Sequence, residues 1–200
     1  NVIGVRAGNG WFGTVRLLLQ LEFEYTDGSR ERIESDSNWH EMWMVQAGAV
    51  QEHSVYGGEV YDARLELADW CQPGKVRFDG DWVLAQAVEG PSGTLMPAML
   101  EPIRVKETLR ARSVQQPKPS VYVYDLGQNI AGWAQIRVSG PTGTQVKLRF
   151  AESLYPDGTV NQENLRTARA RDRYTLKGSG EEVWEPSFTY HGFRYIQVEG

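Results

Sequence analysis

Hydrophobic and polar residues alternate in short runs along this chain. Over residues 17–25 every second position is apolar, so an extended strand there would have one apolar face and one mostly polar face. The turn sequence Thr26-Asp27-Gly28-Ser29 follows, and residues 30–35 complete a predicted hairpin. The same kind of pattern predicts later strands at residues 59–65, 106–114, 120–125, 134–138, 145–151, 173–177 and 194–198.

Helical periodicity is almost absent, and the best candidate is a weak stretch over residues 163–173. The chain has 21 glycines and 9 prolines, which separate the predicted strands. This pattern predicts an all-β fold with two consecutive antiparallel β-sandwich modules of the jelly-roll type.

The charge changes sign along the chain. Residues 1–105 contain 8 Lys or Arg and 16 Asp or Glu, a net charge of −8, whereas residues 106–200 contain 13 and 10, a net charge of +3. Prolines cluster around the change. We therefore predict one acidic module over residues 1–105 and a second module over residues 106–200.

Composition excludes several classes of protein. With 200 residues, 40% hydrophobic residues and a net charge of −5, the chain is long enough for a sizeable core, and it has neither a general basic character nor an apolar run of about 18 residues. We expect no nucleic-acid partner and no membrane partner. The single Cys71 has no partner for an internal disulfide and is expected to be a packed thiol. No nucleophile signature accompanies the three histidines.

The chain starts at Asn1 without a methionine and runs at once into a strand-like segment. We therefore expect it to be a piece of a longer protein, with strands of the first module missing before Asn1. The cytoplasm is favoured as its location, and an upstream signal peptide would place it outside the cell.

A glycine-rich segment near the start has two interpretations. Gly8-Asn9-Gly10-Trp11-Phe12-Gly13 is either a tight turn with Trp11 packed beneath it, or a rim loop in which Trp11 stacks on a sugar and Asn9 binds its hydroxyls. Its glycine spacing does not match a phosphate-binding loop.

The predicted strand at residues 59–65 also carries candidate chemistry. Alternation places Asp62, Arg64 and Glu66 on one face, and Glu59 and Tyr61 on the other. The charged face is either a structural ion pair or, through its carboxylates, part of a calcium site, since calcium prefers hard oxygen ligands.

Two segments of the second half stand out. Four arginines lie close together at Arg166, Arg169, Arg171 and Arg173, as a solvated or domain-contacting face or as an anion site. The C-terminal run at residues 188–196 carries large apolar side chains on both alternation faces, so it must be covered on both sides, and we infer either a missing neighbour or a second layer over this end.

Taken together, these segments resemble the N-terminal β-sandwich modules of bacterial α-L-rhamnosidases, and the resemblance covers nearly the whole chain. In the first half it rests on Gly8-Asn9-Gly10-Trp11-Phe12 and Glu59-Val60-Tyr61-Asp62-Ala63-Arg64. In the second half the more specific motifs are Tyr124-Asp125-Leu126-Gly127-Gln128-Asn129-Ile130-Ala131-Gly132-Trp133, Glu163-Asn164-Leu165-Arg166 and Phe188-Thr189-Tyr190-His191-Gly192-Phe193-Arg194-Tyr195.

The resemblance implies a parent enzyme that removes terminal α-L-rhamnose from glycosides with inversion, using acidic residues on a downstream α/α barrel. This chain contains none of that barrel, so we expect no catalytic residue and no activity from it alone. No cofactor is required, although some relatives bind rhamnose through calcium in an N-terminal sandwich.

The resemblance also nominates two sets of site residues. For carbohydrate binding in the first module they are Asn9, Trp11, Glu59, Tyr61, Asp62 and Arg64. For contact between the second module and the catalytic barrel they are Asp125, Gln128, Asn129, Arg166, His191, Phe193 and Tyr195.

Two other functions stay open at this point. One is an autonomous lectin-like module whose acidic half binds sugar with calcium. The other is a structural or adhesive sandwich unrelated to rhamnose.

Overall fold

The structure is a computed structural model that describes residues 2–10, 13–35, 43–75 and 80–200. In these residues the regular structure consists of β-strands and two single-turn 3₁₀ helices, Ala63–Leu65 and Glu163–Leu165, which confirms the all-β fold class. The strands are β1 Gln20–Glu24, β2 Arg30–Glu34, β3 Met44–Val45, β4 Val50–Ser54, β5 Gly58–Asp62, β6 Val83–Leu84, β7 Ser113–Lys118, β8 Val121–Gly132, β9 Ile136–Ser139, β10 Gln145–Ala151, β11 Ser153–Leu154, β12 Val160–Asn161, β13 Arg171–Thr175, β14 Glu181–Trp184 and β15 His191–Glu199. None of the helices in the described part is long and apolar enough to cross a membrane.

The strand predictions hold to different degrees. The prediction at residues 145–151 matches β10 residue for residue, and the hairpin of β1 and β2 forms around the predicted turn. The predicted strand over residues 106–114 is wrong for most of its length, because β7 begins only at Ser113. The weak helix predicted at residues 163–173 is a 3₁₀ turn that ends where Arg166 takes a positive φ of 56°.

The chain divides into two compact units. The first comprises Asn1–Ala7, Thr14–Ala47 and Ala68–Ile103. Its described strands form two separate two-stranded sheets, β1 with β2 and β3 with β6. Cys71 is exposed there, so the expected packed thiol is wrong: its neighbours in this turn-rich segment do not cover the side chain.

The second unit comprises Gly8–Gly13, Gly48–Leu67 and Arg104–Gly200. Its centre is a seven-stranded sheet in the order β4-β5-β13-β10-β15-β8-β7. All neighbours are antiparallel except β5 and β13, which run parallel. Two strands of this sheet, β4 and β5, precede residue 105 in the chain. The division into two modules at that residue, which rests on charge, stays a prediction.

The core of the second unit lies on both faces of this sheet. On one face Leu148, Phe150 and Phe193 pack with Trp184 of the β9–β14 sheet. On the other, Ala151 packs with Val160 of the β11–β12 ribbon. β15 contributes Phe193 to one face and Tyr195 to the other, because a bulge between these two residues shifts the alternation of its side chains. Of the two predicted alternatives, the structure shows packed layers on both faces of this strand.

Candidate functional site

Two of the second-module motifs meet through a bidentate ion pair. Arg194 of β15 donates from Nε to Asp125 Oδ1 and from Nη2 to Asp125 Oδ2, each over 2.8 Å. The pair spans the bulge, where β8 and β15 interrupt their register between Phe193 and Tyr195. The guanidinium also lies 4.9 Å from the Tyr195 ring centroid, within cation–π distance.

The electrostatics of Asp125 follow from these contacts. The Arg194 guanidinium lowers the pKa of this carboxyl to about 2, helped by the backbone N–H of Gly127, which donates to Oδ1 over 2.7 Å. Partial burial opposes the shift but does not cancel it. Asp125 is therefore ionised at neutral pH and fixes the start of the 124–133 motif.

A third motif joins through Glu152, which lies directly after β10. Its Oε1 accepts from Asn129 Nδ2 over 2.7 Å, and its Oε2 accepts from Asn164 Nδ2 over 3.4 Å. The three side chains are exposed, as are Gln128 and Arg166 beside them in sequence. We call these five residues, Gln128, Asn129, Glu152, Asn164 and Arg166, the motif surface.

The sequence did not indicate Glu152 as a site residue. It belongs to none of the motifs, and as one acidic residue among 26 it carries no distinctive spacing. Its bridging position depends on where β10 ends relative to β8 and the 3₁₀ turn.

Two residues nominated for an interdomain contact lie inside the core instead. Phe193 is 0% exposed and packs against Phe150 with ring centroids 4.8 Å apart. His191 is also buried, with Nε2 3.1 Å from Asp172 Oδ1 and its ring 4.2 Å from that of Phe150. A direct contact with another domain is not available to either side chain, because both face the covered side of the sheet. Tyr195 is half-buried against the second core cluster.

Two of the nominated sugar-binding residues are buried. Glu59 is 0% exposed, and its Oε2 accepts from the backbone N–H groups of Ser187 and Phe188 over 3.0 and 2.9 Å. Tyr61 is buried and donates to Glu66 Oε1 over 3.1 Å. Because both side chains are buried, neither can contact a sugar in this structure. Their common burial agrees with the prediction that they share one face of the strand.

The remaining members of that set lie at the surface or outside the described residues. Asn9 is exposed and donates from Nδ2 to the carbonyl of Gly13 over 2.9 Å, as in a tight turn. Trp11 lies outside the described residues. The predicted strand ends at Asp62, which caps the 3₁₀ turn. Arg64 donates to the Asp62 carboxylate from Nε over 2.9 Å and from Nη2 over 2.7 Å.

Two carboxylates of this set already have partners within the fold. Both oxygens of Asp62 accept from Arg64, while Glu59 faces the core from the same strand. Within the described part of the chain, no group of three or more His, Cys, Asp and Glu side chains could hold a metal ion. Calcium binding by the first module stays a prediction.

The comparison with known families gives two matches, in order along the chain. Residues 1–107 match the family model of the α-L-rhamnosidase N-terminal domain, and residues 115–200 match the bacterial α-L-rhamnosidase concanavalin-like domain. The chain belongs to the bacterial α-L-rhamnosidase family. This confirms the resemblance inferred from the motifs.

Several relatives of known name or structure are α-L-rhamnosidases. The Streptomyces avermitilis α-L-rhamnosidase is 46% identical over 206 residues, which is 98% of this chain and 19% of that protein. The solved α-L-rhamnosidase of Dictyoglumus thermophilum superposes with a TM-score of 0.87 and 40% identity over 95% of this chain and 21% of its own. The S. avermitilis enzyme solved with L-rhamnose gives a TM-score of 0.83 at 46% identity. The match covers 91% of this chain and 17% of that protein's chain. The rhamnosidase-family chain thus spans about a fifth of the length of these relatives.

Proposed function

We propose that the chain is the non-catalytic β-sandwich portion of an α-L-rhamnosidase, and that the parent protein hydrolyses terminal α-L-rhamnosyl residues of glycosides with inversion. The observation that carries this proposal is the ordered match of two rhamnosidase domain models to a chain only about a fifth as long as its relatives. The role of the chain is then to support the catalytic part of the parent.

The chemistry of the described site agrees with a supporting role. Inverting hydrolysis needs two carboxyl groups about 6.5–9.5 Å apart across a cleft, one acting as acid and one as base. The Asp125 carboxylate is held by Arg194, and at the motif surface the Glu152 carboxylate is shared by two asparagine amides. Both carboxylates are therefore engaged by donors within the fold.

The partner we propose for the motif surface is the downstream α/α catalytic barrel. The surface is exposed and polar; Glu152 holds two of its asparagines, and the Asp125–Arg194 pair holds the start of the 124–133 motif. Preorganised polar side chains of this kind fit the rim of a contact between domains, where hydrogen bonds set orientation.

Activity is tested with an aryl α-L-rhamnoside. We expect no turnover from the 200-residue chain and turnover from the parent protein that contains it. Robust activity of the chain alone would overturn the non-catalytic role, and an inactive parent would overturn the rhamnosidase assignment.

The domain contact is tested with the double variant Gln128→Ala/Arg166→Ala in both the chain and the parent. Both side chains are exposed, so we expect the melting temperature of the chain to stay unchanged and that of the parent to fall. An equal effect on the two proteins would contradict the proposed contact.

Calorimetry with L-rhamnose, with and without a chelator, tests sugar and calcium binding by the first module. Heat that disappears with the chelator would support the lectin-like function. No heat at millimolar sugar would leave the supporting role alone.

A further inference from the structure

The central sheet carries two like-charge pairs on adjacent strands. In the register of β10 with β13, Lys147 lies opposite Arg173 and Arg149 lies opposite Arg171. Residues directly opposite each other in a sheet project on the same face, and like charges in that position destabilise the pairing. We call these four residues, Lys147, Arg149, Arg171 and Arg173, the cationic face.

This cationic face lies on the side of the two strands away from the main core. The alternate residues Leu148, Asp172 and Tyr174 point to the other side and are buried. The four cations are therefore not needed to build the main core, and the fold does not explain their placement.

No carboxylate of the described residues forms an ion pair with the cationic face. Arg149 donates from Nε to the neutral amide oxygen of Gln162 over 3.0 Å. Glu199 lies opposite Lys147 on β15 but accepts from Gln197 Nε2 over 2.6 Å. The described ion pairs of the second unit lie elsewhere, so no ion pair of the described residues relieves the repulsion within the cationic face.

A pocket of about 400 Å³ opens beside these residues. Its lining includes Lys147, Arg171 and Arg173, together with Arg169 from the loop before β13. Glu52 and Asp172 are its acidic members; Asp172 is buried, and its Oδ1 contacts His191 and the backbone N–H of Glu59. Positive charge therefore predominates, and the volume lies in the range of small-ligand sites.

The same pocket offers groups that suit a sugar. The Tyr56 hydroxyl lies 2.6 Å from Thr167 Oγ1, and both residues line the pocket with Ser54. Tyr56 is 39% exposed and brings an aromatic residue to the pocket lining. Hydroxyl groups and an aromatic ring next to cations match an acidic saccharide better than a bare anion.

We propose that this pocket binds an acidic saccharide, with the carboxylate or sulfate group held by Arg171, Arg173 and Lys147 and the sugar ring against Tyr56. Guanidinium groups can hold either oxyanion with two parallel hydrogen bonds. A bound oxyanion would also relieve the two cross-strand repulsions. The saccharide part of the assignment rests on the proposed function, whereas the anion part rests on the charges alone.

The test is calorimetric titration of the 200-residue chain with four probes: an oligogalacturonate, a sulfated oligosaccharide, a neutral oligosaccharide of the same length and sodium sulfate. We expect one of the two acidic saccharides to bind at least about tenfold more tightly than the neutral one and than sulfate, with affinity falling as salt rises. Binding of the oligogalacturonate would identify a carboxylate as the oxyanion, and binding of the sulfated oligosaccharide would identify a sulfate group.

Two charge-matched double variants make the test specific. Arg171→Gln/Arg173→Gln should weaken binding at least about tenfold while leaving the melting temperature unchanged or higher, because it removes two repulsive pairs. Lys106→Gln/Arg110→Gln removes two exposed positive charges outside the pocket and should leave the affinity unchanged. Equal losses in both variants, equal binding of the neutral sugar or of sulfate, or no binding of either acidic saccharide would overturn the proposal. The rhamnoside assay of the parent is independent of these outcomes.

Discussion

Arg194 and Asp125 join β15 to β8 through two parallel hydrogen bonds of 2.8 Å each. The pair lies where the two strands lose their register, so it replaces backbone pairing that the bulge removes. It also links two motifs that are distant in the sequence, since the paired residues are 69 positions apart.

Asp125→Asn tests the energetic value of this pair. We expect the free energy of unfolding at pH 7 to fall by about 1–2 kcal/mol, a figure reduced for the partial exposure of both side chains. The pKa of Asp125 is lowered in the folded state to about 2, so its stabilisation is complete above pH 4 and is lost as the pH falls toward 2. Urea unfolding of both proteins at pH 7 and at pH 2.5 should show a difference that shrinks at the lower pH. A constant difference would contradict the ionic origin.

Phe193→Ala tests the correction of this residue from an interdomain contact to a core residue. Because Phe193 is fully buried against Phe150, we expect the isolated chain to lose about 3–5 kcal/mol of stability. Tyr190→Ala is the control from the same motif, since Tyr190 is 42% exposed, and it should cost less than about 1 kcal/mol. Thermal or urea unfolding of the isolated chain measures both, and similar small losses would show that Phe193 is not a core residue.

Glu182 holds the turn between β13 and β14. Its buried carboxylate accepts from the Tyr174 hydroxyl over 2.8 Å and from the backbone N–H groups of Lys177, Gly178 and Ser179. Burial alone would raise the pKa of Glu182, but the combined donors lower it below its usual value.

Removing this acceptor should be destabilising. Glu182→Ala leaves several buried donors without a partner, and we expect a loss of about 2–4 kcal/mol at pH 7. Glu182→Gln keeps one oxygen acceptor and should lose less. Because the folded-state pKa is lowered, the wild-type advantage over Glu182→Gln should diminish as the pH falls below about 4. Denaturant unfolding across that pH range checks this, and an advantage that grows in acid would contradict the assignment.

Gly58 is required by a close approach of two strands. Its φ is +102°, and a Cβ there would lie 1.8 Å from the backbone oxygen of Arg171. Gly180 has nearly the same φ, +98°, with nothing within 4 Å of a Cβ.

The two glycines therefore separate backbone strain from steric exclusion. Gly180→Ala should cost about 1–3 kcal/mol for the positive φ alone. Gly58→Ala should cost distinctly more, because β5 would have to move away from β13. Hydrogen exchange of the β5 and β13 amides should rise in Gly58→Ala and stay unchanged in Gly180→Ala. Equal costs would argue against close packing at Gly58.

Local patterns were sufficient for much of this fold. The alternation over residues 145–151 is regular because one face of β10 meets the core throughout, and the predicted strand has the observed ends. The turn at residues 26–29 could be predicted because it is held by local contacts: Asp27 Oδ1 accepts from the backbone N–H and the hydroxyl of Ser29.

Other elements depended on contacts that no local pattern contains. β14 is short and partly charged, and it becomes a strand by pairing with β9 and burying Trp184. β7 lies further along the chain than the predicted strand and includes Pro117. A proline is tolerated there because β7 lies at the edge of the sheet. The motif surface was half predictable: Gln128, Asn129 and Arg166 follow from the motifs, whereas Glu152 depends on tertiary placement.

The parallel pairing of β5 with β13 has a practical consequence for anyone cloning the C-terminal half by itself. An expression product that starts at residue 106 would lack β4 and β5, leaving the backbone of β13 as an open sheet margin. Such a margin recruits strands from other molecules, so the shortened product would precipitate or form swapped oligomers. An expression product that also contains residues 48–67 would keep β13 paired with β5.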